Sequence, residues 1–140
     1  LLLKEQLEKD IETVPVSLLE LMKPRSKTLT ELYEHLGFYL ESEITIEDDA
    51  KKLITKDLMK PAHDLVLQFK NASSWDTSSL EALFQKVIET YSLKLGALAQ
   101  FVRAAVTGKK ASPGIFEIIE ILGKERTIKR IESVLQDDRI

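Results

Sequence analysis

The sequence predicts an all-α protein, and three observations carry that expectation. Only five Gly and four Pro occur among 140 residues, which leaves few places for hairpins. Apolar residues recur at a 3.6-residue period along almost the whole chain, unlike the two-residue alternation of half-buried strands. Hydrophobic residues make up 44% and charged residues 31%, the mix of a folding domain and far from that of a disordered chain. A chain of this length holds one compact domain or two small lobes. The reading adopted is two packed helical lobes, residues 1–74 and 75–140.

Taken in order, Pro24 should end a first helix at about Lys23, because the residue before a proline avoids the α region. Thr28-Leu29-Thr30-Glu31 has the spacing of a capping box and starts the next helix. Leu58, Ala62, Leu65, Val66 and Phe69 form a helical stripe in which Pro61 is tolerable only in the first turn. The stretch from Asn71 to Ser79 is the most polar and small-residue-rich in the chain, so it is the expected lobe boundary, with Trp75 buried at the junction. Leu80, Leu83, Phe84, Val87, Ile88 and Tyr91 then define the clearest helix face. Leu95, Leu98, Ala99, Val102 and Val106 define the next. Ser112-Pro113 reads as an N-cap hydroxyl followed by proline at the first helical position. Ile115, Ile118, Ile119 and Leu122 follow, and after a break at Gly123 come Ile128, Ile131, Val134 and Leu135.

Charge narrows the function classes. Lys and Arg number 20 against 23 Asp and Glu, a net of -3, which excludes a uniformly basic nucleic-acid coat and leaves room for a local one. Residues 1–70 hold 10 basic and 14 acidic residues, and residues 71–140 hold 10 and 9. Between 94 and 130 the basic residues Lys94, Arg103, Lys109, Lys110, Lys124, Arg126, Lys129 and Arg130 face only Glu117, Glu120 and Glu125. An electropositive surface gathering Arg103, Lys109, Lys110 and part of the Lys124–Arg130 run is therefore expected.

Other chemistry is excluded. With no Cys there is no disulfide framework, thiolate zinc site or thiol nucleophile, which fits a reducing, cytoplasmic setting. His35 and His63 stand apart with no metal-ligand or triad spacing, and Thr107-Gly108-Lys109-Lys110 lacks the spacing of a nucleotide-triphosphate loop. Glu47, Asp48 and Asp49 read as acidic residues favourable to a first helical turn, with no EF-hand spacing after them. No apolar run approaches the roughly 18 to 20 residues of a membrane span. The sequence starts Leu1-Leu2-Leu3-Lys4-Glu5, with neither an initiator Met nor a signal-peptide layout, as expected of a piece of a longer polypeptide.

The informative segment runs Lys94-Leu95-Gly96, Ala99-Gln100, Arg103, Ala105 and Thr107-Gly108, then Ser112-Pro113-Gly114-Ile115-Phe116-Glu117 and Leu122-Gly123-Lys124-Glu125-Arg126. It resembles the C-terminal anticodon-binding region of bacterial glutamyl-tRNA synthetases, whose pattern there is approximately KLG-x-x-AQ-x-x-R-x-A-x-TG, four variable positions, SPG or TPG, an apolar residue, FE and LGKER. Met22-Lys23-Pro24-Arg25-Ser26-Lys27-Thr28-Leu29 resembles a second block of that family, and Trp75-Asp76-Thr77 falls at its usual junction between helical lobes. The resemblance spans about residues 16 to 135. It departs at Phe101, where proline is usual and a changed helix start is expected.

The resemblance implies an anticodon-binding helical cage and no catalytic residue in this stretch. The parent would be a class I aminoacyl-tRNA synthetase that attaches glutamate to its tRNA in a separate catalytic domain, where ATP and Mg are expected; no cofactor is expected here. The implied partner is a glutamate tRNA, gripped at its anticodon loop, with no DNA, no membrane and a monomeric protein. It implies Arg25 as reader of the third anticodon base and Arg103 as reader of the first, with both guanidiniums pointing into one concave surface. Thr107 shares a helix face with Arg103. Ser112, Pro113, Gly114 and Ile115 would line a base pocket, and Lys109 and Lys110 would hold phosphates. Splayed bases of a single-stranded loop are read by such arginines and backbone groups. The competing reading is a helical protein-interaction module that binds no tRNA.

Overall fold

The computed structural model describes residues 12–41 and 43–136. Residues 1–11 and 137–140, with which the two expected lobes begin and end, lie outside the described residues. The described chain contains helices and no strand, as the periodicity predicts. Its residues divide into two compact units, one ending at Glu43 and the other starting at Ile44.

In the first unit, α1 spans Val16–Met22, followed by a 3-10 turn at Lys23–Arg25, α2 at Leu29–His35 and α3 at Gly37–Leu40. Pro24 closes α1 as expected, within the turn that follows it. Thr28 caps α2 by accepting a hydrogen bond from the Glu31 N–H at 3.1 Å. The return half of the box is displaced by one residue: the Glu31 carboxylate accepts from the N–H of Lys27. Leu18, Leu36 and Phe38 are buried.

In the second unit, α4 is a single turn, Asp48–Lys51, and α5 spans Met59–Lys70, entered through a 3-10 turn at Lys56–Leu58. Pro61 stands third in α5, inside the first turn, where its missing N–H has no helical partner to lose. Next come α6 (Thr77–Tyr91), α7 (Leu95–Thr107), α8 (Ile115–Leu122) and α9 (Lys124–Leu135). α9 lies against α5, α7 and α8, while α6 lies against α5, α7 and α8. The stripes named from the sequence form this core: Leu65, Phe69, Leu80, Phe84, Leu98, Ile118, Ile119 and Ile131 are all fully buried.

Three expectations change. The compact units part at Glu43 and Ile44, whereas the polar stretch 71–79 falls inside the second unit, because α5 packs on both α6 and α9. Trp75 is half-buried: its ring meets Phe69 edge-on at 5.0 Å and its indole N–H donates to the Ile119 carbonyl at 2.8 Å. Phe101, expected to alter a helix start, sits mid-way along a continuous α7 and is fully buried.

Asp76 caps α6 by accepting from the Ser79 N–H at 2.7 Å. That backbone hydrogen bond, helped by the Ser79 side chain, holds its carboxyl below the ordinary value of 3.8. A carboxyl depressed by folding contributes stability above its unfolded pKa, and the contribution is lost as pH falls through the folded one. Asp76→Ala should therefore lower the melting temperature at about pH 7, and the gap from the parent should narrow towards about pH 2. Circular-dichroism melts at the two pH values check this; a gap independent of pH contradicts it.

Candidate nucleic-acid interface

The second unit holds eight of the nine expected contact residues, and α7 and the turn from Gly108 to Gly114 position them. The last turn of a helix leaves carbonyls without partners, and α7 satisfies its own in several ways. The Thr107 hydroxyl donates back to the Arg103 carbonyl at 2.7 Å. The Gly108 N–H donates to the Ala104 carbonyl at 2.9 Å. From α9, the buried Arg130 guanidinium donates to the Val106 carbonyl at 2.6 Å, a cation at the negative end of a helix.

Gly108 then turns the chain in the left-handed region, at φ +76°. A Cβ there would lie 2.4 Å from the Thr45 carbonyl oxygen, so only glycine lets the incoming backbone pass this close. The Glu47 N–H donates to the Gly108 carbonyl at 2.8 Å and fastens that backbone to the turn. The Lys109 N–H donates to Thr107 Oγ1 at 3.1 Å and folds the turn back over the helix end.

Arg103, half-buried, donates from Nε to Ser112 Oγ at 2.8 Å. The Ser112 hydroxyl donates in turn to the Pro113 carbonyl at 2.7 Å. These bonds tie the guanidinium plane to the far side of the turn, so Arg103, Thr107, Lys109 and Ser112 form one connected cluster. Lys110 is exposed, with its ammonium 3.4 Å from the Asp49 carboxylate. Pro113 and Ile115 are buried and Gly114 is exposed. Thr107 is 5% exposed and its oxygen is engaged with backbone, so it shapes the turn rather than presenting a hydroxyl.

Ser112 departs from the expected N-cap. α8 begins two residues after Pro113, at Ile115, with Gly114 in the cap position and no side-chain cap bond, because the Ser112 hydroxyl is used by Arg103 and Pro113. Two members of the basic run are spent on helix ends. Arg130 is consumed at the end of α7, and the Lys124 ammonium donates to the carbonyls of Lys70 and Ala72 at the end of α5, at 3.1 and 3.0 Å.

In the first unit, Arg25 is exposed at the end of the Lys23–Arg25 turn. Ser26 fixes that turn, with its hydroxyl donating to the Met22 carbonyl at 2.9 Å and lying 2.8 Å from His35 Nδ1. Sequence reasoning missed both this use of His35 and the crossing segment of Thr45, Glu47 and Asp49. The acidic cluster was the available signal for the latter. Among the described residues there is no group of three His, Cys, Asp or Glu that could hold a metal ion. No helix among them is long and apolar enough to cross a membrane.

The sequence profile of the anticodon binding domain family matches residues 2–135, and the chain belongs to that family. It is 36% identical over 116 residues to a glutamate–tRNA ligase of Syntrophobacter fumaroxidans, which covers 82% of this chain and 25% of that protein. Over 112 residues it is 40% identical to glutamate–tRNA ligase 1 of Beijerinckia indica subsp. indica, covering 79% of this chain and 24% of that one. The chain thus spans about a quarter of the length of these relatives. A crystal structure of a glutamate tRNA ligase from Elizabethkingia meningosepticum shares the fold, with a TM-score of 0.81, 18% identity and 94% of this chain covered against 28% of that one.

The close passage at Gly108 is testable. Gly108→Ala should cost about 1 to 3 kcal/mol, combining backbone strain with displacement of the Thr45 carbonyl. Gly37→Ala should cost less, since Gly37 lies at the start of α3 without a positive φ and with no atom within 4 Å of an added Cβ. Urea unfolding of both variants measures the difference; an equal loss would show that the passage adds nothing.

Proposed function

We propose that this chain is the anticodon-loop recognition module of a glutamate–tRNA ligase, serving ATP-dependent attachment of glutamate to its tRNA in the complete enzyme. The carrying observation is the Arg103 guanidinium tied through Ser112 across the Gly108–Gly114 turn, in a chain of the anticodon-binding family. A planar, permanently charged group held at one orientation is suited to stack on or hydrogen-bond an unstacked base. Arg25, exposed on a turn stiffened by Pro24 and Ser26, supplies a second planar cation. Lys109 and Lys110 supply phosphate contacts that set register without reading sequence. Gly114 offers backbone beside the base pocket, while Thr107, Pro113 and Ile115 fix its shape and Ser112 holds Arg103 in place. ATP and Mg belong to the catalytic domain of the parent, and the module works in the cytoplasm as a monomer on glutamate tRNA.

Base readers and phosphate holders separate in a binding experiment. Arg103→Ala or Arg25→Ala should lose about 1 to 3 kcal/mol of affinity for cognate tRNA and less for tRNA with an altered anticodon. Lys110→Ala should weaken both alike and flatten the salt dependence. Titrations of each variant with both tRNAs measure the ratio. An unchanged ratio for both arginine variants would remove their reading roles, and no salt-sensitive binding by the parent chain would remove the function.

A further inference from the structure

Resting on the anticodon reading, we propose that Asp49 is an electrostatic brake on the RNA-facing turn, holding the Lys110 ammonium that an RNA phosphate must take over. Asp49 Oδ2 and Lys110 Nζ are 3.4 Å apart, and both side chains remain partly open to solvent. The pairing is built in by backbone. The segment leading into α4 crosses the end of α7 so closely that Gly108 cannot carry a Cβ, and the Glu47 N–H is hydrogen-bonded to the Gly108 carbonyl. Two residues after that anchor, Asp49 stands in the first turn of α4, beside the turn that carries Lys110. Its neighbour Asp48 is engaged differently, 3.8 Å from Lys51 within α4.

An exposed ion pair is weak enough to exchange partners. A lysine that meets RNA from a free, hydrated state neutralises a phosphate and releases a condensed counterion, which gives affinity its steep salt dependence. A lysine already paired with Asp49 must break that pair first and leaves a carboxylate next to the incoming phosphate. The consequence is lower affinity for any polyanion, with base reading by Arg25 and Arg103 making up a larger share of what remains. Asp49 thereby suppresses binding of non-cognate RNA at the phosphate-holding lysine, an effect on specificity through repulsion.

The test uses the full chain and a glutamate-tRNA anticodon stem-loop, titrated by fluorescence anisotropy from about 50 to 200 mM salt, a range over which phosphate contacts dominate the change. Asp49→Asn should bind about two- to fivefold tighter at the low-salt end, and the gain should shrink towards the high-salt end as salt screens the carboxylate. Asp48→Asn should bind as the parent does. In a Lys110→Ala background, Asp49→Asn should give no gain. The inference is overturned if Asp49→Asn binds equally or more weakly, or if the gain persists without Lys110. No binding by either the parent or Asp49→Asn would overturn the anticodon reading and the brake together, whereas binding that Asp49→Asn leaves unchanged would overturn the brake alone.

Discussion

The second unit depends on how its helix C-termini are closed by donors from elsewhere in the chain. The carbonyls at a helix end carry partial negative charge and need partners when the end is packed against other elements. Lys124 supplies the end of α5 and Arg130 the end of α7, while the Trp75 indole adds a second donor to the Ile119 carbonyl, which also accepts from the Gly123 N–H. Two of the three donors are cations on α9, the helix that also packs on α5, α7 and α8. A hydrogen bond from a charged donor contributes about 1.5 to 3 kcal/mol, and stranding such a group inside costs more. α9 therefore joins three helices by its apolar face and also satisfies the polar ends of two of them.

The end of α7 shows how this packing reaches function. With Val106 held by Arg130 and Arg103 by Thr107, the chain leaves the helix through Gly108 at one fixed angle. The turn that follows returns Ser112 to Arg103 and sets the guanidinium before any ligand arrives. Orientation settled in advance reduces the ordering cost of binding. The segment carrying Thr45, Glu47 and Asp49 lies on the same turn, so the acidic part of this unit borders its basic part.

Much of this was legible in the sequence. The stripes that a helical period picks out supply most of the buried faces of α5 to α9, although α7 also buries Phe101, Ala104 and Ala105, and the Thr28 cap and the breaks at Pro24 and Gly123 follow from local chemistry. The anticodon-binding family was visible in separated motifs occurring in one order, and the family profile matches. What was not legible depends on contacts between distant residues. A basic residue on a helix has the same letter whether it faces solvent or another helix's carbonyls, so the charge count over 94–130 includes Lys124 and Arg130, which serve helix ends. Ser112-Pro113 reads as an N-cap pair, yet the hydroxyl goes to Arg103, a choice made by tertiary proximity. Asp48 and Asp49 were rightly placed in a first helical turn, but the partner of Asp49 lies some sixty residues further along, beyond local pattern.

The central claim, that a donor from α9 sets the turn by closing the end of α7, is tested most directly by amide hydrogen exchange in Arg130→Met, which keeps a buried side chain and removes the donor. The Gly108 and Lys109 amides, bonded to Ala104 and Thr107, should lose protection by a larger factor than the core amides of α6, reporting local opening beyond any global loss of stability. An equal factor throughout the unit would contradict the account, leaving Arg130 as general support for the core with no particular hold on the turn.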